Sequence, residues 1–165
     1  MLPPKLILVP IDFSDPSRAA LDVATDMAAR LGADLLLVQV MPAIEDLPRS
    51  VSIFKEGKYD ESLNEKAEQQ LEQLAARLAK KNVQARAKLG TGNDVGMELI
   101  RIAQGEDVDM IIIATHGMTG WRKIAYGSVS EKVVKEAECP VLLLRSKAPA
   151  GASGDRQAAS SSASD

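Results

Sequence analysis

The chain has little cysteine, histidine or aromatic residue, and each shortage excludes a class of protein. Its 165 residues include one cysteine, Cys139, so no disulfide can form within the chain, as expected in a reducing compartment. One cysteine and one histidine cannot assemble the common zinc ligand sets. The net charge of -3 at pH 7 provides no electrostatic reason to expect a nucleic acid partner.

Long apolar runs are also missing. No run approaches the roughly 20 residues that a membrane span needs, and residues 1–5 lack the basic-then-apolar order of a signal peptide. We therefore expect no membrane partner and a cytoplasmic location. The hydrophobic residues make up 45% of the chain but aromatics only 3%, and this aliphatic bias suits a buried parallel sheet covered by helices.

Short apolar runs, typical of strands buried on both faces, alternate with stretches of helical periodicity. The predicted strands are 6–9, 35–40, 83–89, 108–113 and 141–144, and the predicted helices are 15–31, 60–80, 94–104 and 129–137. This alternation implies crossover connections and a parallel sheet. We predict an α/β fold: an open, Rossmann-like parallel sheet of five strands in the order 3-2-1-4-5, with helices on both faces.

Two segments lie outside this alternation. Residues 42–59 are long for a strand-to-helix connection, and such loops are often lids or disordered. The last residues are rich in Ala, Ser, Gly and Pro, a composition that cannot bury enough apolar surface to offset its ordering entropy. The sequence therefore predicts one domain over residues 1–146 and a disordered low-complexity tail over residues 147–165.

A glycine-bearing loop follows the fourth predicted strand and leads to the helix that begins near Ser128. Such a loop can turn its N–H groups toward an anion, and the helix N-terminus adds unpaired N–H groups and a partial positive charge. The pattern favours a phosphate site built largely from main chain over the alternative of a plain loop and helix cap. The predicted phosphate-binding residues are Ala114, Thr115, His116, Gly117, Met118, Thr119, Gly120, Gly127, Ser128, Val129 and Ser130.

The predicted strand order places this loop beside the one after the first strand, where open α/β sheets bind ligands. Asp12 follows the first predicted strand, and two interpretations of it stay open. It is either a turn residue whose carboxylate bonds to its own turn, or a residue that contacts the ligand. His116 is the only histidine, and no nucleophile or carboxylate stands at a spacing that would make it catalytic.

The spacing of Gly117, nine residues, then Gly127-Ser128 resembles the universal stress protein family, whose nucleotide-binding members have G-x-x-G, nine residues, then G-S or G-T. Segments 9–14 and 139–144 resemble that family's first and last strands. The chain departs at Ala114, where the family pattern has glycine.

The resemblance implies a nucleotide-responsive stress-response protein that binds ATP with Mg²⁺, with AMP as an open alternative. It places the base and sugar near Asp12 and against Val40, so we expect adenine beside Pro10, Ile11, Asp12 and Val40. It also implies a homodimer formed through the last strand, from Val141 to Leu144, because an apolar edge strand invites pairing with another chain.

Two alternatives remain at this point. One is a partner-binding protein that has the same fold but no longer binds a nucleotide. Ala114 favours this alternative, because it stands where the nucleotide-binding pattern has glycine. The other is a slow ATPase or self-phosphorylating enzyme, for which only Asp12 and His116 offer a general base. A binding protein rather than an enzyme is the preferred interpretation.

Overall fold

The computed structural model describes residues 3–41, 58–115 and 128–145, and strands and helices alternate throughout these ranges. The strands are β1 (Leu6–Pro10), β2 (Asp34–Met41), β3 (Ala85–Thr91), β4 (Met110–Thr115) and β5 (Val141–Arg145). The helices are α1 (Asp15–Leu31), α2 (Lys58–Ala79), α3 (Val95–Gly105) and α4 (Ser128–Glu136). Every element predicted from the sequence is present.

The boundaries differ from prediction at β3 and β4. Strand β4 continues through Ala114 and Thr115, which the sequence analysis assigned to the glycine loop, because β5 extends far enough to pair with both of them. Strand β3 begins and ends two residues later than predicted, since its last residues, Gly90 and Thr91, pair with Val40 and Met41 of β2.

The five described strands form one parallel sheet in the order β3-β2-β1-β4-β5, which confirms the predicted topology. Strand β1 lies in the middle, where Leu8 is in register with Leu36 of β2 and Ile111 of β4. The chain reverses its direction of winding between β1 and β4, so a crevice is expected at the carboxyl ends of those two strands.

The sheet is buried on both faces because side chains along each strand point alternately to opposite sides. Ile7 and Val9 of β1 belong to a core with α1 and α2, which includes Ala24 and Leu71. Leu8 belongs to a second core with α3 and α4. Helices therefore cover both faces, as predicted.

Local capping fixes where α1 and α3 begin. The side chain of Ser14 caps α1 by accepting a hydrogen bond from the Ser17 N–H at 3.3 Å, and Asp94 caps α3 in the same way toward Met97 at 3.0 Å. Gly32 ends α1 in the left-handed region at φ 68°. These local interactions set the first residues of α1 and α3 and the last residue of α1.

Several predictions fall on residues 42–57, 116–127 and 146–165, outside the described ranges. They concern the connection between β2 and α2, the central part of the glycine loop, and the tail. None of the helices within the described ranges has the length and apolar character that a membrane span requires.

Candidate functional site

A cavity of about 410 Å³ lies at the carboxyl ends of β1, β2 and β4, where the sheet topology places its crevice. The first turns of α1, α3 and α4 complete its walls. The described residues that line it are Pro10, Ile11, Asp12, Ser14, Pro16, Ser17, Val38, Gln39, Val40, Val95, Leu99, Ile113, Ala114, Ser128, Val129 and Ser130.

Most of the described residues that the sequence singled out meet in this cavity. Those lining it are Pro10, Ile11, Asp12, Val40, Ala114, Ser128, Val129 and Ser130. Thr115 is not part of the wall: its side chain is buried and its hydroxyl lies 3.5 Å from the carbonyl oxygen of Leu144 on β5. The predictions for His116, Gly117, Met118, Thr119, Gly120 and Gly127 lie outside the described residues.

In the connection between β1 and α1, which forms one wall of the cavity, the carboxylate of Asp12 holds the turn. Asp12 Oδ1 accepts hydrogen bonds from Ser14 at both its N–H, at 2.9 Å, and its Oγ, at 2.5 Å. Phe13 between them adopts φ 60°, the left-handed conformation that lets the chain turn back on Asp12. The turn role considered for Asp12 is therefore observed, and it places a negative charge at the start of α1.

The opposite wall is the start of α4. Ser130 is only 3% exposed and Ser128 is exposed, and both line the cavity at the end of the helix where N–H groups lack helical carbonyl partners. In the first turn of α4, the acidic residue is Glu131, which pairs with Lys135 and is not part of the cavity wall. This helix start therefore lies in the cavity wall, with two serines and no acidic residue of α4 among the lining residues.

The position of α4 is tied to α3. Lys132 of α4 forms an ion pair with Asp94, the cap of α3, and both Val95 and Leu99 of α3 line the cavity. The bond from Lys132 and the N–H of Met97 hold the pKa of Asp94 below its usual value. The contact thus links two helix starts that face the same space.

The cavity is mainly apolar and carries little charge. Among the described lining residues, Asp12 is the only charged one, and no lysine or arginine is present. The described part of the chain contains no group of three or more His, Cys, Asp or Glu side chains that could hold a metal ion. A polyanion in this cavity would be neutralised mainly by helix N–H groups and by any cation it brings with it.

The backbone of Ala114 has an ordinary strand conformation. It pairs with Leu144 of β5 and is not among the residues with positive φ. The missing glycine at this position therefore imposes no backbone strain, and its consequence is confined to one methyl group on the cavity wall.

Sequence reasoning missed several lining residues, among them Ser17, Gln39, Val95 and Leu99. Val95 and Leu99 stand four residues apart on α3, so the helical period could have placed them on one face. Gln39 had a weaker signal: it is a polar residue within the apolar strand β2, next to Val40.

Comparison with known proteins agrees with this architecture. A family model described as the universal stress protein family matches residues 4–145. The universal stress protein YxiE of Bacillus subtilis is 32% identical over 146 residues, covering 84% of this chain and 97% of the relative. The solved structure of MJ0577, from Methanocaldococcus jannaschii, is 30% identical with a TM-score of 0.72, covering 90% of this chain and 99% of that one.

A more distant structure shares the fold. The universal stress protein from Archaeoglobus fulgidus in complex with dAMP is 19% identical with a TM-score of 0.59, covering 87% of this chain and 98% of that chain.

Proposed function

The chain belongs to the universal stress protein family, and from this premise we propose that it binds ATP in the cavity between β1 and β4 and acts as a nucleotide-responsive regulatory protein. The observation that carries the proposal is that Asp12, Val40, Ala114 and Ser128, chosen from the sequence, line one cavity at the topological switch point. The family fold can hold an adenine nucleotide, since the Archaeoglobus protein has dAMP bound.

The base and sugar belong at the β1–β2 side. Pro10, Ile11 and Val40 offer an apolar wall for a flat ring, and Asp12 offers a carboxylate that a ribose hydroxyl can donate to. The carboxylate of Asp12 already lies at the start of α1, so it would repel a phosphate there.

The phosphates belong at the α4 side. Ser128 and Ser130 line the cavity at the start of this helix, and Asp12 on the β1–α1 side is the one acidic residue of the described wall. Together with the loop residues from His116 to Gly120 and Gly127, this helix start forms the proposed anion site.

Mg²⁺ accompanies the nucleotide in this proposal. Asp12 is the one carboxylate in the described wall, and Oδ1 of that carboxylate is used by Ser14. Mg²⁺ keeps several waters and binds through one or two carboxylates plus substrate phosphates, so this donor set fits an ion held chiefly by the phosphates. The ion would offset phosphate charge in a cavity wall that has no described lysine or arginine.

Equilibrium dialysis with labelled ATP and labelled AMP, each with and without Mg²⁺, tests the proposal. We expect saturable ATP binding in the micromolar range. Val40→Phe should weaken binding at least about tenfold, because a larger ring occupies space meant for the base. The matched control is Val134→Phe, on the exposed face of α4 and outside the cavity wall. No saturable binding of either nucleotide would contradict the proposal, and tighter AMP than ATP binding would correct the ligand to AMP.

We also propose that the chain forms a homodimer through β5. This strand has β4 as its neighbour on one side and is the last strand in the sheet order, while its residues from Val141 to Leu144 are apolar and only half-buried. Such an edge is suited to pair with a second copy across a two-fold axis. Sedimentation equilibrium should give twice the chain mass of 17.6 kDa, and a monomer at all concentrations would contradict this proposal.

A further inference from the structure

Gln39 is an anomaly in the wall of the cavity. It lies near the end of β2 between Val38 and Val40 and contributes to the cavity lining. Its Oε1 is shielded from solvent and accepts no hydrogen bond, the only such side-chain atom found in the described ranges. Its Nε2 contacts the Sδ of Met41 at 3.6 Å, and a thioether is a weak acceptor.

A carboxamide at this position does not help the protein to fold. A buried carbonyl oxygen without a donor loses its hydrogen bonds to water and gains nothing in return. An apolar side chain of similar length would avoid this loss, as Val38 and Val40 do on either side. The polar group therefore calls for a partner that is not part of the described protein.

The neighbouring polar groups on this side of the cavity are already engaged. The N–H of Ile11 donates to the carbonyl oxygen of Val38 at 2.7 Å, and Pro10 has no N–H. Ser17 donates its hydroxyl to the carbonyl oxygen of Ser14 at 3.0 Å. Gln39 thus has a hydrogen-bonding group still to be satisfied among the residues that line the cavity.

We propose that Gln39 reads the edge of the base and makes the site selective for adenine over guanine. The inference rests on the proposed nucleotide function. A carboxamide presents an acceptor and a donor side by side, which matches the N6 amino group and N7 of adenine. Guanine presents two acceptors, O6 and N7, along the corresponding edge and satisfies only the donor. Rotation about the broad terminal torsion of Gln39 lets its Oε1 and Nε2 exchange positions.

Isothermal titration calorimetry with ATP, GTP and purine riboside triphosphate, which lacks the amino group, tests this role. The variants are Gln39→Met, which keeps the length but removes the amide, and Gln104→Met, an exposed residue of α3 outside this cavity wall. The wild type should bind ATP about tenfold or more tighter than either other nucleotide. In Gln39→Met this ratio should fall to within about twofold, while Gln104→Met keeps it.

A second readout separates recognition from a purely structural role. Without ligand, Gln39→Met should melt about 2–4 °C higher than the wild type, because it removes an unsatisfied buried group. ATP binding with an unchanged preference in Gln39→Met, or a wild type that binds ATP and GTP equally, would overturn this inference and leave the proposed function standing. A wild type that binds none of the nucleotides would overturn both.

Discussion

Gly96 of α3 and Lys132 of α4 meet so closely that any side chain on Gly96 would press against the Lys132 side chain. A Cβ atom on Gly96 would lie 3.0 Å from both Cβ and Cδ of Lys132. The ion pair between Lys132 and Asp94 also joins these two helices. Because α4 begins at the cavity, this packing sets where its N-terminal groups lie.

Gly96→Ala should therefore destabilise the protein, although alanine is the better helix former. Helix propensity favours alanine by about 1 kcal/mol, and overpacking typically costs about 1–3 kcal/mol, so we expect a net loss of about 1 kcal/mol. The matched control is Gly105→Ala in the same helix, where a Cβ meets nothing within 4 Å and a gain of up to about 1 kcal/mol is expected. Urea unfolding measures both, and equal changes in the two variants would contradict the close contact.

The core beneath α2 offers a second matched pair. Leu71 is completely buried against the sheet, whereas Leu63 on the same helix is 39% exposed. Leu71→Ala should lower the free energy of unfolding by about 2–5 kcal/mol, because it leaves a cavity in a close-packed core. Leu63→Ala should cost less than about 1 kcal/mol, since alanine and leucine have similar helix propensity. Similar losses in both variants, measured by urea unfolding, would place α2 differently from the arrangement described.

Asp109 connects the starts of β1 and β4 and should govern part of the acid sensitivity. Its carboxylate accepts hydrogen bonds from the N–H groups of Leu6 and Lys5, and these hold its pKa below the usual value. A carboxyl group with a lowered pKa in the folded state stabilises the protein above its unfolded pKa, near 3.9. That contribution is lost as the pH falls through the lower folded value. When urea midpoints are measured from pH 2 to pH 7, the midpoint should thus fall less steeply below pH 4 in Asp109→Asn than in the wild type. The same fall of the midpoint below pH 4 in both proteins would contradict this.

Ala114→Gly tests whether the departure from the family pattern affects the ligand. Since Ala114 has ordinary strand backbone, we expect the ATP affinity to change by less than about threefold. Stability should fall by about 0.5–1 kcal/mol, because glycine loses more conformational freedom in a strand. Calorimetry and urea unfolding measure the two effects. An affinity gain above about tenfold would mean that the methyl group obstructs the nucleotide.

Much of the fold could be predicted because its signals are local. Unbroken apolar runs such as residues 6–9 need burial on both faces, and Ser14, Gly32 and Asp94 mark helix ends through bonds to their own neighbours. The end of β4 was misjudged because Ala114 and Thr115 are strand only through pairing with β5, about 30 residues later. No local pattern contains that information.

The site divides in the same way. Asp12 and Ser128 could be chosen because they follow a strand or begin a helix at the ends that a parallel sheet brings together, and the family resemblance indicated Val40. The orphan oxygen of Gln39 could not be predicted, since its burial and lack of a donor depend on every element around it.

The amino-acid sequence by itself determined the alternation of strands and helices, because this depends on backbone preferences and on which side chains avoid water, and the alternation in turn indicated the strand order. The tertiary structure alone decided which of those residues share a cavity, that Thr115 faces β5 instead, and that Gly96 must be small beside Lys132. The physical reason is that close packing acts between residues far apart in the chain, and only the folded arrangement specifies their distances.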